Sequence, residues 1–411
     1  MITVTYYYSA CVALKTKDIS ILCDPWFTEG AFDGAWYHYP PIDDPLELVG
    51  EHNAIYISHI HPDHYDVEFL KQYLAKYTNT IIYIGNFGVN YLQRKMQADG
   101  IPHTVIDSLT IDETTLAIIP HGHIDSALTV ATQGDCVVNM NDCIYSQRHI
   151  DQIKANNAKI DILLLTHAGA GPYPQTFYPI GDKLLQRAED KKQEFFQRYR
   201  KMREAFNPRC CLPFAGQYIL GGKLASLNPY RGVSDPIEVC EFDPSAVVLE
   251  TGAYIDSSTL VPSSVRSTPY DAHDIQYYAM SLKNRKLAYE TEFENVDTNK
   301  VKWLRLLKAA YSSACDHHNI ESKWHIAIHL PRGAFVFAVN TVKPHCEIIS
   351  GDQLEQFEHR IEITIDHRYL FGLLTGYYHW NNAEIGSLYT TRRTPDELYR
   401  PAQHFLHFFC I

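Results

Sequence analysis

Ser58-His59-Ile60-His61-Pro62-Asp63-His64 constrains this chain more than any other segment. It places three imidazoles and one carboxylate within six positions, directly after the apolar run Ala54-Ile55-Tyr56-Ile57. A strand that breaks into a tight turn can aim alternating histidines at one point, and the Asp-His pair that follows reaches a second point a short distance away. Neutral imidazole and carboxylate are natural transition-metal donors, and two adjacent ion positions are what a dinuclear site needs. The segment is read as a metal site rather than a histidine-rich polar loop.

Composition narrows the remaining possibilities. The 411 residues are 45% hydrophobic and 20% charged, enough to bury a large core plus a smaller one. A formal net charge of −12, without any lysine- or arginine-rich run, argues against a nucleic-acid partner. The amino terminus reads as a strand rather than a signal segment, and no apolar run is long enough to span a bilayer, so no membrane partner is expected. Ten cysteines at irregular spacings, with no Cys-x-x-Cys, fit a reducing cytoplasm better than a disulfide framework.

Along the first 170 residues, short apolar runs alternate with polar turns. Strands are expected at 2–8, 19–23, 54–58, 81–84, 104–106, 116–119, 128–131, 136–139 and 162–166, with helices at 67–77 and 89–98. That pattern implies two packed sheets covered by helices. A charged amphipathic helix over 184–206 stops before Asn207-Pro208, and a strand follows at 210–214. Composition loosens over 258–274, which divides the chain into expected units 1–262 and 275–411. The second unit reads as a small α+β domain.

The spacing His59-x-His61-x-Asp63-His64 resembles the metal-binding motif of the metallo-β-lactamase superfamily, and its strand-loop-helix setting is similar as well. The resemblance implies an α/β fold, a four-layer αββα sandwich. In that fold a third histidine follows a strand, and an aspartate after a later strand bridges the two ions. Here His123, with His121 as its competitor, takes the first role and Asp142 the second. One ion would then lie among His59, His61, His123 and Asp142. The other would lie among Asp63, His64, Asp142 and one further donor.

Many superfamily hydrolases supply that donor as a late histidine, but Leu212-Pro213-Phe214-Ala215-Gly216-Gln217-Tyr218 contains none. His167 could replace it, or could touch substrate instead. Asp24, in Asp24-Pro25-Trp26, is expected to orient a ligand histidine.

Several segments resemble, more narrowly, the lactamase-type portion of the CMP-N-acetylneuraminate hydroxylase family. They include Cys23-Asp24-Pro25-Trp26-Phe27-Thr28, Ile82-Tyr83-Ile84-Gly85-Asn86, Gly169-Ala170-Gly171-Pro172-Tyr173-Pro174 and Pro213-Phe214-Ala215-Gly216. That family is implied to use dioxygen and a Rieske iron–sulfur domain, which needs paired Cys-x-His and Cys-x-x-His ligands. This sequence has only the lone Cys315-Asp316-His317, so electrons are expected from an external electron-transfer protein. Related di-iron hydroxylases can carry a carboxylate in the third-histidine position, and a retained His123 leans instead toward zinc. The C-terminal part resembles a sterol-carrier-like module, read as a structural or substrate-covering domain.

Two functions follow. One is a di-iron, dioxygen-dependent monooxygenase acting on a polar small molecule. The other is a zinc or manganese hydrolase of a lactone or phosphodiester, with His121 or His167 as proton donor and Asp142 holding the metals. Trp36, Tyr173, Gln217 and Tyr218 are expected along the cleft.

Overall fold

The computed structural model describes residues 1–157 and 159–411. Its first sheet has the order β15-β1-β2-β3-β5-β6-β7. These strands are β1 (Thr3–Tyr8), β2 (Cys11–Lys15), β3 (Ser20–Cys23), β5 (Ala54–Ile57), β6 (Ile81–Gly85), β7 (Thr104–Ile106) and β15 (Tyr254–Asp256). The hairpin half is antiparallel, whereas β3, β5, β6 and β7 run parallel. A second sheet, β13-β12-β11-β10-β9-β8, comprises β8 (Ser108–Ile111), β9 (Thr114–His121), β10 (Asp125–Ala131), β11 (Cys136–Asn139), β12 (Ile162–Thr166) and β13 (Cys210–Phe214). Trp36–Tyr37 (β4) pairs with Ile219–Leu220 (β14) in a short separate ladder.

The layers follow from side-chain alternation. On β5 all four residues are buried, as a central parallel strand requires. Ala54 and Tyr56 face the inter-sheet core with Val130, Leu164 and Leu212. Ile55 and Ile57 face outward onto Phe69, Leu70 and Tyr73 of the helix Val67–Lys76. On the far side, Val138, Leu163 and Leu165 pack against Ile150 and Ile153 of the helix Gln147–Asn156, and against Phe196, Tyr199 and Met202 of the helix Asp182–Phe206. Helix, sheet, sheet and helix therefore stack as the expected four layers.

The third large sheet, β18-β17-β16-β19-β20, comprises β16 (His325–His329), β17 (Ala334–Ala338), β18 (Cys346–Ile349), β19 (Arg360–Ile365) and β20 (Tyr389–Thr394). One apolar core runs from Trp26, Phe32 and Trp36 to Phe337, Tyr369, Trp380 and Phe405. The Tyr369 hydroxyl donates to Asp33 Oδ2 at 2.6 Å across that contact. Six strands were not anticipated: β2, β4, β8, β14, β15 and β20. Of these, β4, β14 and β15 are only two or three residues long and pair with segments far away in sequence, which local patterning does not encode. All ten cysteines are free, and among the described residues no helix is long and apolar enough to cross a membrane.

Phe337 is fully buried and its ring lies against Phe409, Tyr311 and Phe405. Phe337→Ala is expected to cost about 3–5 kcal/mol of stability. Chemical denaturation checks this, and a loss below about 1 kcal/mol would mean the cavity collapses, contrary to tight packing.

Candidate metal centre

The chain leaves β5 at Ser58 and turns sharply, with the N–H groups of His64 and Tyr65 both donating to His61 O at 3.0 and 2.8 Å. Asp66 then caps the next helix by accepting from Phe69 N at 3.0 Å. Its other oxygen accepts from Phe27 N and Thr28 N, at 3.0 and 2.6 Å, which ties the turn to the loop after β3. Six consecutive residues that would otherwise wander are thus pinned at both ends.

Asp24 lies beneath this turn, fully buried and with a left-handed backbone, φ 42°. It accepts from Ser58 N at 2.7 Å, from Ser58 Oγ at 2.6 Å and from His64 Nδ1 at 2.8 Å. The expectation that Asp24 orients a ligand histidine matches this geometry. With Nδ1 donating to Asp24, His64 turns Nε2 toward Asp63 Oδ2 at 3.6 Å and Asp142 Oδ2 at 3.7 Å.

The other two imidazoles are aligned in the same way. Ser58 Oγ, already donating to Asp24, accepts from His59 Nδ1 at 2.9 Å. His61 donates from Nε2 to Asn381 Oδ1, 2.8 Å away on a C-terminal helix. These outer hydrogen bonds leave His59 Nε2 and His61 Nδ1 as lone-pair nitrogens that face each other at 2.8 Å. Two lone pairs at that distance repel unless a cation stands between or beside them. Ligand atoms of His59, His64 and Asp142 also lie within 4.8 Å of one another. The residues present therefore fit a metal.

Protonation fits as well. Burial, and then the neighbouring His64 and His61, push His59 well below the ordinary histidine range. Burial also pushes His61 down to about 4, with Asn381 and Asp142 opposing. Both are neutral, the form that binds metal. Burial alone would lower His64 too, but the carboxylates of Asp63, Asp24 and Asp142 overcome it and hold the ring well above its ordinary value. Burial and Asp142 raise Asp63, up to about 6, against the pull of His64.

The structure corrects the rest of the expected set. His123 is exposed at the tip of the turn between β9 and β10, its ring against Gly88 rather than the centre. A hairpin tip cannot reach the sandwich interior. The acid two residues later does: Asp125 is buried, with Oδ1 3.5 Å from His59 Nδ1. Burial and Asp142 push its carboxyl well up. The sequence reading missed Asp125, although its place as the first residue of a strand after Pro120-His121-Gly122-His123 was a usable signal.

His121 ends β9 opposite Asp125, with its ring against Tyr145 and His149 at 5.6 and 6.3 Å instead of in the cluster. His167 is buried, its Nε2 donating to Ser234 O at 3.3 Å. The segment 234–238 packs over the end of β12 and encloses it, and burial lowers it to about 4. The expected cleft residues also pack: Trp36 stacks on Tyr218 at 3.5 Å, and Gln217 is bound by Tyr6 and Tyr39. Tyr173 O accepts from buried Lys191 at 2.9 Å. A cleft is lined instead by His61, His123 and Tyr91 together with the C-terminal His379, Asn381 and His407.

Residues 3–173 match the sequence model of the Beta-lactamase superfamily domain. The cytidine monophosphate-N-acetylneuraminic acid hydroxylase of Danio rerio is 29% identical over 243 residues, covering 53% of this chain and 38% of that protein. The chain thus spans well under two thirds of that relative's length. Among solved structures, isothiocyanate hydrolase from Delia radicum gut bacteria has 14% identity and a TM-score of 0.45, over 62% of this chain and 98% of that one. CmlA, a diiron beta-hydroxylase from Streptomyces venezuelae, has 12% identity and a TM-score of 0.38, over 72% of this chain and 51% of that one.

Asn381→Leu is expected to weaken metal affinity about 10–100-fold, because His61 loses the bond that selects its tautomer. Competition with a chelator reads this, with Asn382→Ala, on the same helix turn, expected to bind normally. Because His64 enters the metal-free site protonated, metal uptake at pH 7 should release protons. Apparent affinity should then fall as the pH drops from about 7 to 5, where Asp63 also gains a proton. Titration calorimetry in buffers of different ionisation enthalpy counts the protons, and no release would contradict the charge assignment of His64.

Proposed function

With a beta-lactamase superfamily domain over residues 3–173 as the premise, we propose that this protein is a di-iron enzyme that hydroxylates a small molecule with dioxygen. The observation that carries this reading is the buried Asp125, whose Oδ1 lies 3.5 Å from His59 Nδ1, where His123 had been expected. We assign His59, His61 and Asp125 to one ion, and Asp63, His64 and Asp142 to the other. Two imidazoles with one carboxylate, leaving positions open, is a donor set that suits non-haem iron. Three carboxylates among six donors also shift preference away from the imidazole-rich sets of hydrolytic zinc.

When bound, the two irons would supply dioxygen activation, with two electrons drawn from an external electron-transfer protein. The chain's own residues supply alignment and access. Asp24 and Ser58 hold His64 and His59 from beneath, and Asn381 holds His61 from above. Asp142 keeps a side chain 44% exposed, so the open edge of the centre lies there. The Danio rerio relative is named as a hydroxylase, which agrees in reaction class. A hydrolase would need a proton donor near the ions, and the two expected ones make other contacts, His121 against Tyr145 and His167 through Nε2 to Ser234 O.

Metal analysis of protein purified without chelator, with oxygen uptake measured in the presence of a reductant, tests the proposal. Two equivalents of iron and reductant-dependent uptake are expected, both lost in His61→Ala and Asp142→Ala. Two equivalents of zinc with no uptake would instead establish the hydrolytic reading.

A further inference from the structure

The cleft beside the metal loop has a volume of about 830 Å³, within the range of small-molecule sites, roughly 300–1,000 Å³. Its long walls are apolar: Ile60, Val67, Phe87, Leu92, Ile124 and Phe408. His61 reaches into it from the metal loop, and His379, Asn381 and His407 close it from the C-terminal side.

Carboxylates outnumber cations along this cleft. Glu29, Asp66 and Glu68 line it, and among the described residues no arginine does. Its one lysine, Lys95, is bound by both carboxylate oxygens of Asp99, at 2.5 and 2.7 Å. His379 and His407 on the C-terminal wall add no positive charge. Burial lowers His379, and burial together with His379, His404, His61 and His318 lowers His407 to about 4. Away from the metal loop, a phosphate held along these walls would leave water for apolar surface and carboxylates, with no arginine and only the Asp99-paired Lys95 to receive it.

We propose that this cleft is the substrate site, and that its substrate class is an uncharged or cationic small molecule with an apolar body rather than a phosphate-bearing one. The inference rests on the reading of the metal loop as the reacting centre, toward which the cleft leads at His61. The apolar walls take the body of the molecule, and Asn381, Asn382 and the neutral imidazoles offer hydrogen bonds to its polar end.

Fluorescence of N-phenyl-1-naphthylamine, an uncharged apolar probe, tests this on the full chain, both as purified and after chelator treatment. One equivalent is expected to bind with enhanced emission. Decylamine should displace it, and millimolar cytidine monophosphate should not. Ile124 is exposed, so Ile124→Ser removes apolar wall without touching the core, and it should weaken probe binding about tenfold. Displacement by cytidine monophosphate, no probe binding, or an unchanged Ile124→Ser variant would each overturn the proposal. Probe binding as described without oxygen uptake overturns the oxygenase reading alone. Oxygen uptake with displacement by the nucleotide overturns the substrate class alone.

Discussion

A buried carboxylate supports the whole centre. Asp24 is removed from water and is tolerable there only because its two oxygens accept three hydrogen bonds, two from Ser58 and one from His64. Those bonds decide more than the comfort of one side chain. They fix the exit angle of β5, commit the Ser58 hydroxyl as a donor to Asp24, and so oblige His59 to donate from Nδ1. Two imidazoles are oriented by a single anion that itself never faces the cluster. The left-handed backbone at Asp24 is the local strain that makes this geometry possible.

A second constraint comes from the opposite end of the chain. His61 is the least anchored of the three imidazoles by its own neighbourhood, and its outer nitrogen is held by Asn381, 320 residues later. The contact is supported by a continuous apolar core that joins the loop of Trp26, Phe32 and Trp36 to Trp380. The C-terminal segment therefore does two things at once. It sets the tautomer of one imidazole and forms one wall of the cleft that leads to it.

Much of this was legible before any coordinates. Strands with strong apolar runs, such as 54–58 and 162–166, fall where periodicity put them, and so do the covering helices Val67–Lys76 and Asp182–Phe206, whereas the helix Gln147–Asn156 was not foreseen. His59, His61, Asp63, His64 and Asp142 are brought together as their spacing implied, because short loops at the ends of adjacent strands leave few alternatives. The hairpin residues were less legible. Between His121, His123 and Asp125, residue chemistry favours an imidazole, whereas the position of the turn tip decides which side chain points inward. The role of His167 was open in the sequence, and the structure adds that its Nε2 is held by Ser234 O, from a segment 67 residues later.

What the sequence alone determined is the donor chemistry: which residues can bind metal, in which loop, after which buried strand. Those are local facts, set by side-chain type and by the period of burial along one segment. What only the tertiary structure decided is direction and enclosure. Asp125 rather than His123 is buried beside His59, Asn381 holds His61, and the cleft is lined by residues other than those expected. Each of these depends on contacts between segments far apart in the chain, whose relative placement comes from packing of the layers as a whole and has no counterpart in local pattern.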